Sequence, residues 1–185
     1  KALPGEREGL TEADALRRGL LQHLLLEHLP TLPPPSWAEA APGIAALEAA
    51  DVSHAELAPL LEEATQVLTD PALRSCFAPD TLAEVELVGH SAVLGRPMIG
   101  IIDRLIVGPD SVLAVDFKTN AVVPDRPEDV PDGLLRQMGA YAEMLEDIYP
   151  DHRIDTAILW SRTRKMMELP QNLTRAALRR AADDV

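Results

Sequence analysis

The chain has 185 residues, 46% of them hydrophobic, and a net charge of −13. That size and balance suit a folded domain with a sizeable core and exclude a disordered chain, and no apolar run reaches the roughly 18 residues that a membrane span needs. The negative charge argues against a free-standing, tight DNA binder, although a cleft can be locally basic. Cys76 is the only cysteine, which excludes an internal disulfide framework, a cysteine-based zinc site and a four-cysteine iron–sulfur cluster. A cytosolic setting is therefore expected. The chain starts without Met in a polar, charged stretch, so no leader peptide is expected, and the piece is read as part of a longer protein.

Thr11 followed by Asp14 is a variant of the capping box that opens helices. Apolar residues at 16, 20, 21, 24, 25 and 29 keep the 3.6-residue period, so residues 12–29 are expected as an amphipathic helix. Four prolines between 30 and 35 break it. An Ala-rich short helix is expected within 37–50, and residues 31–50 otherwise lack a clear period. Ser53 with Glu56 is a second capping box, opening a helix to about Leu68.

The pattern changes near residue 81. "TLAEVELVGH" alternates, "MIGIIDRLIV" is rich in β-branched residues, and "SVLAVDFKT" is a mostly apolar strand, with Gly108-Pro109-Asp110 turning between the last two. A proline-rich loop leads to a helix over 132–148, followed by strands at 153–161 and 165–169 and a closing helix from 172. Helices, a hairpin, a helix and more strands predict an α/β (α+β) fold with a central mixed sheet flanked by helices.

The apolar strand at 112–118 ends oddly. Side chains alternate along a strand, so Asp116 and Lys118 share one face while Val115 and Phe117 take the other. Asp103 raises the same problem in the preceding strand, and a hairpin would bring the two acids together. Two buried carboxylates do not both stay ionised without a compensating cation. A divalent metal supplies one, Mg²⁺ preferring oxygen ligands and needing few from protein. Lys118 can then orient a water or offset negative charge. On the first helix Gly19, His23 and Glu27 share a face, and a neutral His23 imidazole can ligate a metal. Gly19 leaves room for close approach to that helix. Gln137 and Tyr141, also four apart, can face the same cleft. Singly, each piece has an ordinary explanation: a strand-end ion pair at Asp116 and Lys118, an exposed Asp103–Arg104 pair, a surface histidine, an amide beside a core aromatic.

In order, "RRGLLQHLLLEHLP", "GIIDRL", "VDFKTN" and "QMGAY" resemble the RecB-like branch of the PD-(D/E)XK nucleases. With "AEVELVG" and "IYP…AILW", they look most like the C-terminal nuclease domain of AddA-type helicase–nuclease subunits of bacterial recombinational repair, over residues 11 to 170. The resemblance implies a restriction-endonuclease-like core as one nuclease domain over 1–185. Its parts would be a helical section at 11–70 carrying His23, a catalytic sheet at 81–170 and a closing helix at 172–185. It implies His23, Asp103, Asp116 and the Phe117 carbonyl as metal ligands, Lys118 as catalytic lysine, and Gln137 and Tyr141 as support for the site and the DNA strand. Glu84 and Glu86 are further candidate ligands on one strand face, and spacing leaves the choice open. Two positions depart from the family pattern: Ile102 stands where the name implies Pro, and Leu134 where Tyr is frequent.

The implied activity is Mg²⁺-dependent (or Mn²⁺-dependent) hydrolysis of DNA, exonucleolytic on single strands, in the bacterial cytoplasm. No iron–sulfur cluster and no membrane are involved. No phosphate-binding Gly-x-x-x-x-Gly-Lys-Ser/Thr loop is present, so ATP use is expected only in a helicase part of the same protein, with a second subunit completing an AddAB-type complex. Local basic groups for DNA are Arg17, Arg18, Arg162, Arg164, Lys165, Arg175, Arg179 and Arg180. Alternatives are an inactive module retaining the fold, which would usually have lost an acid or the lysine, a free-standing exonuclease, and a metal-dependent phosphatase-like enzyme. Too few cysteines stand against a cluster-bearing free exonuclease, and the Gln-x-x-x-Tyr element stands against the phosphatase.

Overall fold

The computed structural model describes residues 11–183. Residues 1–10, and 184–185 of the expected closing segment, lie outside the described residues. The elements run α1 (Glu12–His28), α2 (Trp37–Ala45), α3 (His54–Thr69), β1 (Leu82–Ser91), β2 (Arg96–Val107), β3 (Ser111–Lys118), α4 (Asp132–Ile148), β4 (Arg153–Trp160), β5 (Lys165–Leu169) and α5 (Gln171–Asp183). The five strands form one mixed sheet in the order β1-β2-β3-β4-β5, with β3 and β4 parallel and the other neighbours antiparallel. Parallel neighbours need a crossover, and α4 supplies it.

Two apolar layers sandwich the sheet. Val112 and Ala114 of β3 pack with Leu135, Met138, Tyr141 and Leu145 of α4 and Ala177 of α5. Val115 and Phe117 of the same strand pack with Leu21, Leu25 and Leu26 of α1 and Leu57, Leu60 and Ala64 of α3. Period-2 alternation thus commits β3 to both cores, and a strand buried on both faces reads as a nearly continuous apolar run. Ile102, the residue at the family's Pro position, is fully buried in the α4 layer, and Leu134 packs against its rim.

Caps account for the helix starts. Thr11 accepts from the Asp14 amide and Asp14 accepts from the Thr11 amide, the reciprocal box that spacing predicts. At α3 only half of the expected box forms: Ser53 accepts from the Glu56 amide, but both Glu56 oxygens are taken by the Arg17 guanidinium. The Ala-rich segment is helical only to Ala45. It is anchored by Trp37, whose indole N–H donates to the Leu32 carbonyl across the proline-rich turns.

The apolar stripe expected along α1 divides. Leu21, Leu25 and Leu29 are buried, whereas Leu16 and Leu20 are 67% and 44% exposed.

Cys76 is buried beside Arg104, and burial pushes its thiol from 9.0 up to about 12. The native state therefore holds a proton that the unfolded thiol releases. Its stabilising contribution is complete below pH 9 and declines as pH rises towards 12. Iodoacetamide at pH 8 is expected to leave the native chain unmodified and to label Cys76 stoichiometrically in urea, as read by intact mass.

Candidate metal and catalytic site

The site lies where β2 and β3 part company. Their ladder ends at the Arg104–Val115 pair. Beyond it, the Phe117 amide donates to the Asp103 carboxylate instead of to a strand carbonyl. Ile102 and Leu105 both enter the α4 layer although three residues apart, which strict alternation forbids. An irregularity at Asp103 reconciles them. Across from it, between the Ala83–Arg104 and Val85–Ile102 pairs, stands Glu84 with φ 49°, in the left-handed region. Such strain in a non-glycine residue is characteristic of functional positions.

The kink collects donors. One ligand atom each from His23, Glu84 and Asp103 lies within 4.8 Å of the others. Of the two acids that spacing left open, Glu84 is the one that stands beside His23 and Asp103. Burial, with the Asp103 and Glu27 charges, raises the Glu84 pKa, so crowded acids here favour a proton or a cation.

His23 reaches the sheet from α1. Its Nε2 lies 3.0 Å from the Phe117 carbonyl oxygen and its Nδ1 3.3 Å from Asp103 Oδ1, and its ring meets the Phe117 ring edge-on at 5.8 Å. Both nitrogens face acceptors, so an imidazolium satisfies both as a double donor. Burial acts to lower the His23 pKa, but the hydrogen bond and charge of Asp103 outweigh it and the value is raised. An imidazolium in this cage is itself the compensating cation. Two carboxylates, a peptide carbonyl and an imidazole that can lose its proton form a donor set that suits a hard divalent cation.

Asp116 and Lys118 project from the other face of β3, beneath α4. Asp116 lies outside the trio and is 4% exposed. Burial raises its pKa, the Lys118 charge opposes this, and Asp103 adds to the rise. Its Oδ2 is paired with the Lys118 ammonium, an ionic contact rather than a directed hydrogen bond. Its Oδ1 accepts from Gln137 Nε2 at 3.2 Å; that nitrogen also donates to the Tyr141 hydroxyl at 2.9 Å, and the hydroxyl donates to the Ile101 carbonyl at 2.8 Å. The two α4 residues thus run a chain of hydrogen bonds from Asp116 to the β2 backbone. Glycine at 100 is required by this arrangement, because a Cβ there would clash with the Tyr141 ring.

Three residues unmarked in the sequence hold these parts together. Arg104, for which an exposed pair with Asp103 was the ordinary alternative, is 4% exposed. It donates to the Leu26 carbonyl at 3.0 Å and stacks over Phe77. Leu26 lies in the last turn of α1, where carbonyls lack intrahelical partners, so Arg104 fastens the helix that carries His23. Arg104→Leu leaves that buried acceptor unpaired and is expected to cost about 1–3 kcal/mol, measured by urea unfolding. Glu63 and Ser161 tie the other end. Arg18 pairs with Glu63, Ser161 Oγ donates to Glu63 at 2.6 Å, and the Ser161 amide donates to the Lys118 carbonyl at 2.9 Å.

The basic groups expected to serve DNA are mostly engaged within the chain. Arg17 pairs with Asp51 and Glu56, Arg18 with Glu63, Arg164 with Asp70, Arg175 with Glu146 and Arg180 with Asp132. Lys165 donates to the Pro124 and Asp125 carbonyls. A ready-made basic groove is not formed by these residues.

A mixed sheet between helices, with acids and a lysine at the end of a central strand, is the architecture of a PD-(D/E)XK core. The family model for the PD-(D/E)XK nuclease superfamily matches residues 3–183, and the chain belongs to that superfamily. Among solved structures, one described as "Crystal structure of SSO0001" is similar at 15% identity and a TM-score of 0.40, covering 89% of this chain and 72% of that one. No curated protein matches the chain. Among the described residues, no helix is long and apolar enough to cross a membrane.

Proposed function

We propose that the chain is a divalent-metal-dependent deoxyribonuclease that hydrolyses phosphodiester bonds of single-stranded DNA from an end. The observation that carries this reading is the trio of His23, exposed Glu84 and buried Asp103 at the end of β3, beside a lysine-paired acid (Asp116) tethered by Gln137 and Tyr141. His23, Asp103, Asp116, the Phe117 carbonyl and Glu84 would hold Mg²⁺ or Mn²⁺. Such an ion, when bound, polarises a phosphoryl oxygen and lowers the pKa of water.

The protein's own groups divide the remaining work. Asp103 fixes the Phe117 peptide by accepting its N–H, which aims the Phe117 carbonyl at His23. Lys118 Nζ, which pairs with Asp116, would donate a hydrogen bond to the attacking oxygen and offset charge on the phosphoryl group. Gln137 keeps the Asp116 carboxylate from rotating. Since no serine, cysteine or tyrosine is paired with a base at this site, direct attack by water is favoured over a covalent intermediate.

On the strength of the sequence resemblance, the domain serves as the nuclease part of an AddA-type helicase–nuclease in bacterial double-strand break repair. The helicase part and second subunit would deliver the strand. That also explains how a chain of net charge −13, with Arg17, Arg18, Arg175 and Arg180 paired internally, meets a polyanion. The test compares linear and circular single strands of one sequence in Mg²⁺. Loss of the linear strand alone is expected, with the labelled end that disappears first giving polarity. Equal cutting of the circle would refute the exonucleolytic reading.

A further inference from the structure

Gly19 occupies the interior of α1, where glycine costs roughly 0.5–1 kcal/mol relative to alanine. Two other glycines have packing reasons to be small: a Cβ at Gly100 would clash with the Tyr141 ring, and one at Gly139 would press on the Thr174 carbonyl. Gly19 has none. A Cβ there would meet only Thr119 Oγ1, at 3.6 Å, an ordinary contact. The same holds of Gly43 in α2 and Gly133 in α4, where a Cβ would meet nothing within 4 Å; what sets Gly19 apart is the cleft that it faces.

The space left by Gly19 belongs to a cleft of about 380 Å³ between α1 and residues 117–120. Leu16 and Leu20, the two leucines of the α1 stripe that the core does not cover, line it with Gly19. His23 and Lys118 line it too, so the cleft opens directly from the proposed reaction site. Its size is at the small end for ligand pockets. Its α1 wall is apolar over Ala15, Leu16, Gly19 and Leu20, between Glu12 at one end and His23 at the other, and that apolar stretch suits the face of a nucleobase.

We infer that this cleft is a nucleoside subsite, in which the base of the nucleotide next to the scissile phosphate packs against Leu16 and Leu20 over the notch at Gly19. The inference rests on the nuclease reading of single-stranded substrate and adds where an unpaired base is held, since a base stacked within a duplex cannot present its face to a protein shelf. Affinity comes from apolar contact with the base, independent of sequence because every base has such a face.

The test is equilibrium binding, by fluorescence anisotropy, of labelled oligothymidylate and of the same strand made abasic. Calcium is used so that binding is read without turnover. The native chain is expected to bind the base-bearing strand about tenfold more tightly, at the low end of what stacking a base contributes. In Gly19→Leu, whose side chain fills the notch with a good helix former, that preference should vanish while affinity for the abasic strand stays unchanged. A parallel melting curve checks that the variant is folded. Equal affinity of the native chain for both strands would overturn the inference, and so would a preference that survives Gly19→Leu. Cleavage is scored separately in Mg²⁺: cutting without base preference sinks the subsite alone, whereas base preference without cutting sinks the nuclease reading alone.

Discussion

Lys118→Met is expected to lower kcat for single-stranded DNA about 10³-fold, the loss typical when one charge-stabilising donor is removed from a reaction centre. The substitution keeps the aliphatic stem and deletes only the ammonium. Its second effect has the opposite sign. In the native chain Lys118 neutralises Asp116, so a metal must compete with it for that carboxylate. Without the ammonium, Mn²⁺ should bind at least as tightly as in the native chain. Paired single-turnover kinetics and Mn²⁺ titration calorimetry check both parts. A variant that loses metal binding along with activity would assign Lys118 to holding the site rather than to the chemistry.

Glu84→Gln should raise the Mg²⁺ concentration for half-maximal cleavage by about 10- to 100-fold, a loss on the scale seen when groups around a metal are altered. Glu86→Gln should leave it within about twofold. The two residues sit two apart on one strand, and regular alternation would treat them alike. They differ because the backbone kinks at Glu84, φ 49°, opposite Asp103, and so turns only that carboxylate to His23. A metal titration of cleavage by each variant decides it, and equal sensitivity of the two would remove the kink from the mechanism.

That contrast marks where sequence reading reached its limit. Caps and periodicity located α1, α3 and α4 closely, because Thr11 and Ser53 are local signals that act over three residues. Alternation in β3 foretold the opposite faces of Asp116 and Phe117 because that strand is regular. A break in alternation is a tertiary property, and nothing near Glu84 announces it. Arg104 was hidden for a related reason. A surface pair with its neighbour Asp103 was the ordinary alternative, whereas its partner is a helix-end carbonyl 78 residues away. Glu56 was counted as a capping residue until Arg17, 39 residues earlier, is seen to occupy its carboxylate. Periodicity marked α1 as amphipathic, but it shows which side of a helix is apolar, not what covers it. Leu16 and Leu20 are left uncovered beside the cleft.

The basic residues carry a similar lesson. A count of arginines near the site suggested surface available to DNA, but five of them are committed to acids within the chain. Exposed pairs of this kind contribute little stability. They do lower the positive field that would otherwise attract a strand. On the proposed reading, the site would depend more on its ion and on delivery of the strand than on long-range attraction.

The most direct single measurement is cleavage of end-labelled single-stranded DNA by the native chain in Mg²⁺ and in EDTA, beside Asp103→Asn in Mg²⁺. Asp103 is the group that touches both His23 and the Phe117 amide, so its charge is the hinge of the proposed metal site. Cutting in Mg²⁺ that disappears in EDTA and in Asp103→Asn is the expected result. Cutting that persists in EDTA, or in a folded Asp103→Asn chain at the native rate, would contradict a metal-dependent nuclease built on this cage.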